Sequence, residues 1–180
     1  PELDFSRMNI FLLEGADKTL AAMREKSSQR SGAYLEKLGV KLMTRTLVKN
    51  YDGQDVELNN GEKIPAATVI WAAGIKGNIP NGIDKLLIAK GNRIKTDRYC
   101  RVLGSENIYA IGDLAYMETP AYPMGHPQVA PAAMQQAGLL AHNLRLMEKN
   151  SAKDRLLQFE YHDKGSMATV GRNLAVVDLP

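Results

Sequence analysis

Apolar and polar positions along the chain predict strands and helices in alternation. Met8-Asn9-Ile10-Phe11-Leu12-Leu13-Glu14 reads as a short buried strand ending on an acid, with Gly15 and Asp17 marking the turn. From Lys18 to Leu38 the spacing predicts a helix, with Leu20, Met23, Ser27, Ser31, Tyr34, Leu35 and Leu38 on one face. The small residues in that stripe suit close packing on a sheet, and Gly39 supplies the stop. Val40 to Thr44 begins another extended segment. Thr46–Tyr51, Gln54–Leu58 and Glu62–Ile64 then predict a β-meander, joined by the hairpin dipeptides Asp52-Gly53 and Asn60-Gly61. Thr68-Val69-Ile70-Trp71-Ala72 is continuously apolar, as expected of a strand buried on both faces.

The second half is more irregular. Residues 75 to 91 form a loop with one apolar patch, Leu86-Leu87-Ile88. Ile108–Ile111 predicts a second buried strand, closed by Gly112-Asp113. A loop with Pro120, Pro123 and Pro127 leads into a helix from about Ala132 to Lys149, whose core face would be Ala133, Ala137, Leu140, Leu144 and Met147. Pro131 suits the start of that helix, where a missing N–H costs nothing. Beyond Asp154 come strands at Leu157–Tyr161, Ser166–Val170 and Leu174–Val177, the last two joined by Gly171-Arg172-Asn173. The order strand, helix, strand, meander, strand is that of a nucleotide-binding α/β half-domain without its first strand and helix.

Composition narrows the function classes. Hydrophobic residues at 44% and charged residues at 24% describe a folded globular chain. The net charge of +3 is mild and spread along the chain, which gives no argument for nucleic acid. One cysteine, Cys100, excludes a disulfide or redox pair within the chain. His126, His142 and His162 lack zinc-ligand spacing. No apolar run reaches the ~18 residues needed to cross a bilayer. There is no Gly-x-Ser-x-Gly turn for triad chemistry, and no catalytic residue is assigned.

Two acids stand where chemistry is expected. Glu14 sits at the tip of a strand, where a carboxylate accepts hydrogen bonds from adenosine ribose hydroxyls and repels a 2′-phosphate. Strands also end in Glu for solubility alone, and the glycine-rich loop that would decide between the two is not in this sequence. Asp113 closes an apolar strand at its carboxyl end, the end where α/β sheets bind ligands, and Gly112 beside it allows close backbone approach.

Thr96 followed by a strand ending Ala110-Ile111-Gly112-Asp113 is similar to the second flavin motif of pyridine-nucleotide-dependent flavin reductases. Trp71-Ala72-Ala73-Gly74 resembles the crossover from the NAD domain to the FAD domain in the same superfamily. Within it, Trp71–Gly74, the run His126–Gln136 and the stretch Tyr161–Arg172 resemble type II NADH dehydrogenases, the NADH:quinone oxidoreductases. The resemblance implies an incomplete Rossmann-like FAD/NAD(P)-binding α/β fold with a β-meander crossover. Residues 1–73 would be the C-terminal part of an NAD-binding domain, and residues 74–180 that of an FAD-binding domain. The implied cofactors are FAD and NADH, and the implied partner is a quinone. Cofactor contacts would fall to Glu14, Ala73, Gly74, Gly112, Asp113, Val129, Ala130 and Pro131. The helix opening near Ala130 would aim its positive end at the flavin ring. Gln135 and Lys164 would face the quinone. Pro131 departs from the family pattern, which has Gln there, so a side-chain amide contact is lost at that position.

The resemblance further implies a cytoplasmic enzyme lying peripherally on the inner membrane face, docked through a segment not found in these residues. A homo-oligomer is possible. The chain reads as an internal piece of such an enzyme, expected not to perform the whole reaction by itself. Two other readings compete: a ferredoxin-type or other FAD/NAD(P)-dependent reductase, and a non-catalytic nucleotide-binding module.

Overall fold

The computed structural model of the chain describes residues 8–149 and 155–180. Residues 1–7 of the first expected domain, and Asp154, lie outside them. The chain forms two compact units, one built from the chain up to Trp71 with Lys164–Pro180, the other from Ala72–Asp163.

In the first unit, strand β1 (Ile10–Leu13), helix α1 (Glu25–Lys37) and strand β2 (Val40–Met43) form a β-α-β crossover. β1 and β2 pair in parallel from Ile10↔Val40 to Leu13↔Met43, an arrangement that needs the long connection α1 provides. The helix is shorter than its apolar spacing predicts, because residues 15–23 are turns and bends and Leu20 has φ of 50°. Serine and threonine explain the difference, since their hydroxyls offer the backbone partners other than a helix. Thr19 Oγ1 lies 2.6 Å from Ser31 Oγ, and Ser28 Oγ donates to Thr19 O at 2.6 Å. Ser27, Ser28 and Ser31 are the buried face of α1; Ser27 and Ser31 belong to the predicted stripe and Ser28 does not.

The meander follows as β3 (Val48–Tyr51), β4 (Asp55–Leu58) and β5 (Lys63–Pro65), all antiparallel neighbours. Both hairpin dipeptides put glycine where φ is positive, at 99° for Gly53 and 86° for Gly61. Asp52 Oδ1 accepts from the N–H groups of Gln54 and Asp55, which tightens the first turn. Val56, Leu58 and Ile64 form the meander's core, packed with Leu13 and Met43 at the carboxyl ends of β1 and β2. Each such fully buried side chain is worth roughly 1.5–3 kcal/mol.

The apolar run at Thr68–Ala72 forms no strand. Ile70 is 86% exposed and Trp71 69% exposed. A two-faced buried strand needs a neighbour on each side, and the described residues supply none beside it.

In the second unit, β6 (Ile88–Ala89) pairs antiparallel with β7 (Arg93–Thr96), and β7 pairs in parallel with β8 (Ala115–Met117). The predicted strand at Ile108–Ile111 is an extended segment outside this sheet. It is bridged once, Tyr109 to Arg101, with Val102 N–H donating to Ile108 O and Ala110 N–H to Cys100 O. A single 3-10 turn, Gly112–Leu114, then delivers the chain into β8, which is buried throughout. Helix α2 (Ala130–Glu148) carries Pro131 in its first turn. Its buried face is Ala132, Gln136 and Asn143, one position round from the predicted stripe, and Ala137 and Leu144 are exposed. Polar residues occupy that face because each finds backbone partners there. Asn143 Nδ2 donates to Leu157 O at 2.8 Å, and Leu157 N–H donates to Asn143 Oδ1 at 2.9 Å. Leu157–Tyr161 is accordingly a single extended strap, not a sheet strand. It is held at its centre by Phe159 N–H to Arg98 O, 2.7 Å.

The chain ends in the hairpin β9 (Ser166–Val170) and β10 (Leu174–Asp178), turned at Gly171 with φ of 69°. The hairpin groups with the first unit, not with the second as the 74–180 division would have it. Asp178 is the reason. α1 has no side-chain cap of its own, and Asp178 accepts from Arg24 N–H and from Ser27 Oγ, both at 2.6 Å. It thus caps α1 from the far end of the sequence.

The bonds from Ser27 and Arg24 hold the Asp178 carboxyl below its ordinary 3.8. Its contribution is therefore complete above that value and is lost as pH falls through the lowered folded value. Asp178→Ala should lower the urea midpoint near neutral pH, with the gap to wild type closing in acid. Urea titrations across pH measure both.

Candidate functional site

In the second unit the chain's irregular turn and the amino end of α2 meet. Gly112 has φ of 63°, and a Cβ there would stand 3.1 Å from Ala133 Cβ, so the turn demands glycine twice over. Gly112 N–H donates to Gln136 Oε1 at 2.6 Å, and Gln128 Nε2 donates to Asp113 O at 3.0 Å. The turn is thus clamped from inside α2 and from the loop before it. The Asp113 side chain is exposed. Val129 is the N-cap of α2 and contributes no side-chain bond, so the helix begins with Ala130 and Pro131 and no cap from its own sequence. Val129 N–H donates to Pro127 O and Ala132 N–H to Val129 O, and Pro131 has no N–H, so this end offers a ligand the Ala130 N–H and the helix's partial positive charge. The Gly112-Asp113 turn is thus held at the amino-terminal part of α2, where Val129, Ala130 and Pro131 lie. Ala73 and Gly74 lie apart in an exposed loop, where Gly74 has φ of 95° and open space around it.

Gln135 makes a pair of bonds to a single residue. Its Nε2 donates to His162 O and its Oε1 accepts from His162 N–H, each at 3.0 Å. Both ends of the amide are used to anchor the strap on α2. Sequence alone gave no sign of this pairing, nor of Gln136 as the support of Gly112. Gln136 sits one residue beyond the position the family pattern marks, and only the rotation of α2 brings it under the turn.

A second feature that sequence reading missed lies behind the turn. Arg93 is 8% exposed and donates from Nε and Nη2 to Ala115 O, and from Nη2 to His126 O. Its guanidinium also stands 5.2 Å from the Tyr116 ring centroid. Cys100 is fully buried, and burial pushes its thiol up to about 12, so it holds no thiolate at neutral pH.

In the first unit Glu14 lies at the carboxyl end of β1, half-buried, with Oε1 accepting from Ala16 N–H at 2.8 Å. It lines a cleft of about 270 Å³ together with Thr19, Ser31 and the end of β9. One carboxylate oxygen is occupied by the turn, and the other is open to a hydroxyl donor. Lys164 is exposed in this unit. Among the described residues no group of His, Cys, Asp and Glu is arranged to hold a metal, and no helix is long and apolar enough to cross a membrane.

The family model for pyridine nucleotide-disulphide oxidoreductases matches residues 4–137. The type II NADH:quinone oxidoreductase Ndh of Mycobacterium tuberculosis is 30% identical, over 98% of this chain and 39% of that protein. An internal alternative NAD(P)H-ubiquinone oxidoreductase of Arabidopsis thaliana is 32% identical, over 96% of this chain and 35% of that protein. The chain thus spans about two fifths of the length of the curated relatives it matches. Among solved structures, NDH2 of Plasmodium falciparum in complex with NADH aligns with a TM-score of 0.81 at 19% identity. That alignment covers 96% of this chain and 50% of that one, and it shows a shared fold.

The Gly112 turn yields a direct prediction. Gly112→Ala places a Cβ in the left-handed region, which costs roughly 1–2 kcal/mol before the Ala133 contact is counted. A lower thermal midpoint is expected, with Ala133→Gly restoring part but not all of the loss.

Proposed function

This chain belongs to the pyridine nucleotide-disulphide oxidoreductase family, and on that premise we propose that it is part of a flavoenzyme. The enzyme takes a hydride from NADH onto FAD and passes two electrons to a quinone. The observation that carries the reading is the Gly112-Asp113 turn held against the uncapped amino end of α2. Its residues fit the ribityl and ring portion of a flavin. Gly112 leaves room for close approach, and the exposed Asp113 carboxylate accepts from a sugar-alcohol hydroxyl. The amino end at Val129 and Ala130 favours negative charge developing nearby, worth about 0.3–1 kcal/mol at an exposed site. Pro131 offers shape and no donor. Ala73 and Gly74, apart from this turn in an exposed loop, would meet FAD at a different point.

In the first unit Glu14 takes the ribose hydroxyls of NADH and disfavours a 2′-phosphate. FAD, when bound, supplies the hydride-accepting chemistry, while these residues bind and orient. Gln135 serves the quinone end by fixing His162 and the strap, because its own amide is already committed. The enzyme docks peripherally on the cytoplasmic face of the inner membrane, and a homo-oligomer is compatible with this arrangement.

The test is FAD retention by the purified full-length protein. Asp113→Ala should weaken FAD binding about tenfold or more, the worth of a charge-assisted hydrogen bond. Unchanged retention would remove Asp113 from the site. Glu14→Ala should narrow the preference for NADH over NADPH in stopped-flow flavin reduction, and an unaltered preference would remove Glu14.

A further inference from the structure

His126 is 2% exposed, and it is enclosed by rings. The Tyr122 ring centroid lies 4.8 Å away, Phe159 5.1 Å and Tyr161 6.1 Å. Its Nδ1 is 2.9 Å from Met117 O, and a carbonyl only accepts, so Nδ1 carries the proton of the neutral ring. Nε2 is then a bare acceptor, buried with no partner. An added proton would place an unsatisfied donor and a charge among three aromatic rings, which is costly.

His126 touches three segments. Ala115 and Met117 are two apart on β8, an edge strand, so their carbonyls face the same side. Arg93 takes the first and His126 the second. His126 O accepts from Arg93 as well, which ties the loop before α2 to the same edge. The third segment is the strap. Leu157 is bonded by Asn143, Phe159 by Arg98 and His162 by Gln135. The strap therefore runs against α2, toward the helix's amino end. From Asn143 back to Gln135 the helix spans about 12 Å, within reach of an extended strap at about 3.3 Å per residue. His126 meets the Phe159 and Tyr161 rings edge-on at the strap's centre.

We propose that His126 is a proton-sensitive latch: its neutral ring locks the 157–162 strap and the loop before α2 onto the edge of β8, and its protonation releases the strap. The surrounding charges act accordingly. Arg93 stands on β7, Arg98 and Cys100 on the turn after it, Tyr122 on the loop, and Glu160 and Tyr161 on the strap. Burial above all pulls the His126 pKa below 6.5. The bond to Met117 O opposes this, Arg93 and Arg98 add to it, and Glu160 opposes it weakly. Glu160 is itself paired with Arg98. The open state takes up a proton more readily than the closed state. Opening therefore grows as pH falls below the ordinary histidine value, by up to about tenfold per pH unit, and levels off below the folded value.

The experiment is hydrogen exchange by mass spectrometry on the full-length protein at about pH 7.5 and about pH 5, corrected for intrinsic rates. In wild type the peptide covering 157–162 should lose protection in acid. His126→Asn keeps an N–H for Met117 O, His126→Phe keeps the ring packing, and neither titrates. Both should keep their strap protection unchanged between the two pH values, and either variant alone decides the matter if the other does not fold. A strap with no acid response in wild type, or with the same response in the variants, overturns the latch.

Discussion

Backbone groups that no ladder takes up must still find partners, and in this chain they find side chains. The described sheets have two or three strands each, so long stretches of backbone lie outside regular pairing. A buried N–H or C=O left alone costs about 1–3 kcal/mol. Gln136 answers Gly112 and Asn143 answers Leu157 in part-buried settings, while Gln135 at His162 and Asp178 at the start of α1 make exposed bonds. Arg93 and His126 do the same for the edge of β8. Replacing Arg93 or His126, whose bonds are buried, with an apolar residue would expose the cost of the group it serves. Water can replace Gln135 or Asp178 at their exposed partners.

The same constraint builds the site. The Gly112-Asp113 turn bends sharply and exposes a carboxylate, which removes it from any ladder. Gln136 takes up the freed N–H from within the helix, and Gln128 holds the Asp113 carbonyl from outside. Asp113 is thereby left with its backbone fixed and its side chain facing solvent. Glu14 follows similar logic, with one oxygen bound to the turn after β1 and the other open to the cleft.

Local chemistry was the legible part of the sequence. Asp52-Gly53 and Asn60-Gly61 predicted their hairpins because a turn dipeptide carries its own geometry. The β1–α1–β2 order and the Gly112-Asp113 turn were legible for the same reason. The exposed run at Thr68–Ala72 misled because apolar residues report a tendency to be buried, not the neighbour that buries them. β8 was overlooked because three residues between prolines and a turn carry no periodicity. α2 came out one position rotated because Gln136 and Asn143 read as surface residues until their partners, distant in sequence, are known. Gln135 could be assigned to a ligand from its motif, yet its bonds to His162 arise only from tertiary structure.

The Gly112-Asp113 turn and the amino end of α2 are proposed together to hold the flavin. Hydrogen exchange on the full-length protein, with FAD bound and after its removal, tests this most directly. Slower exchange on FAD binding at peptides covering 111–115 and 128–134 is the result this account predicts. If FAD binds and both peptides exchange as they do without it, the flavin lies elsewhere and the account is wrong.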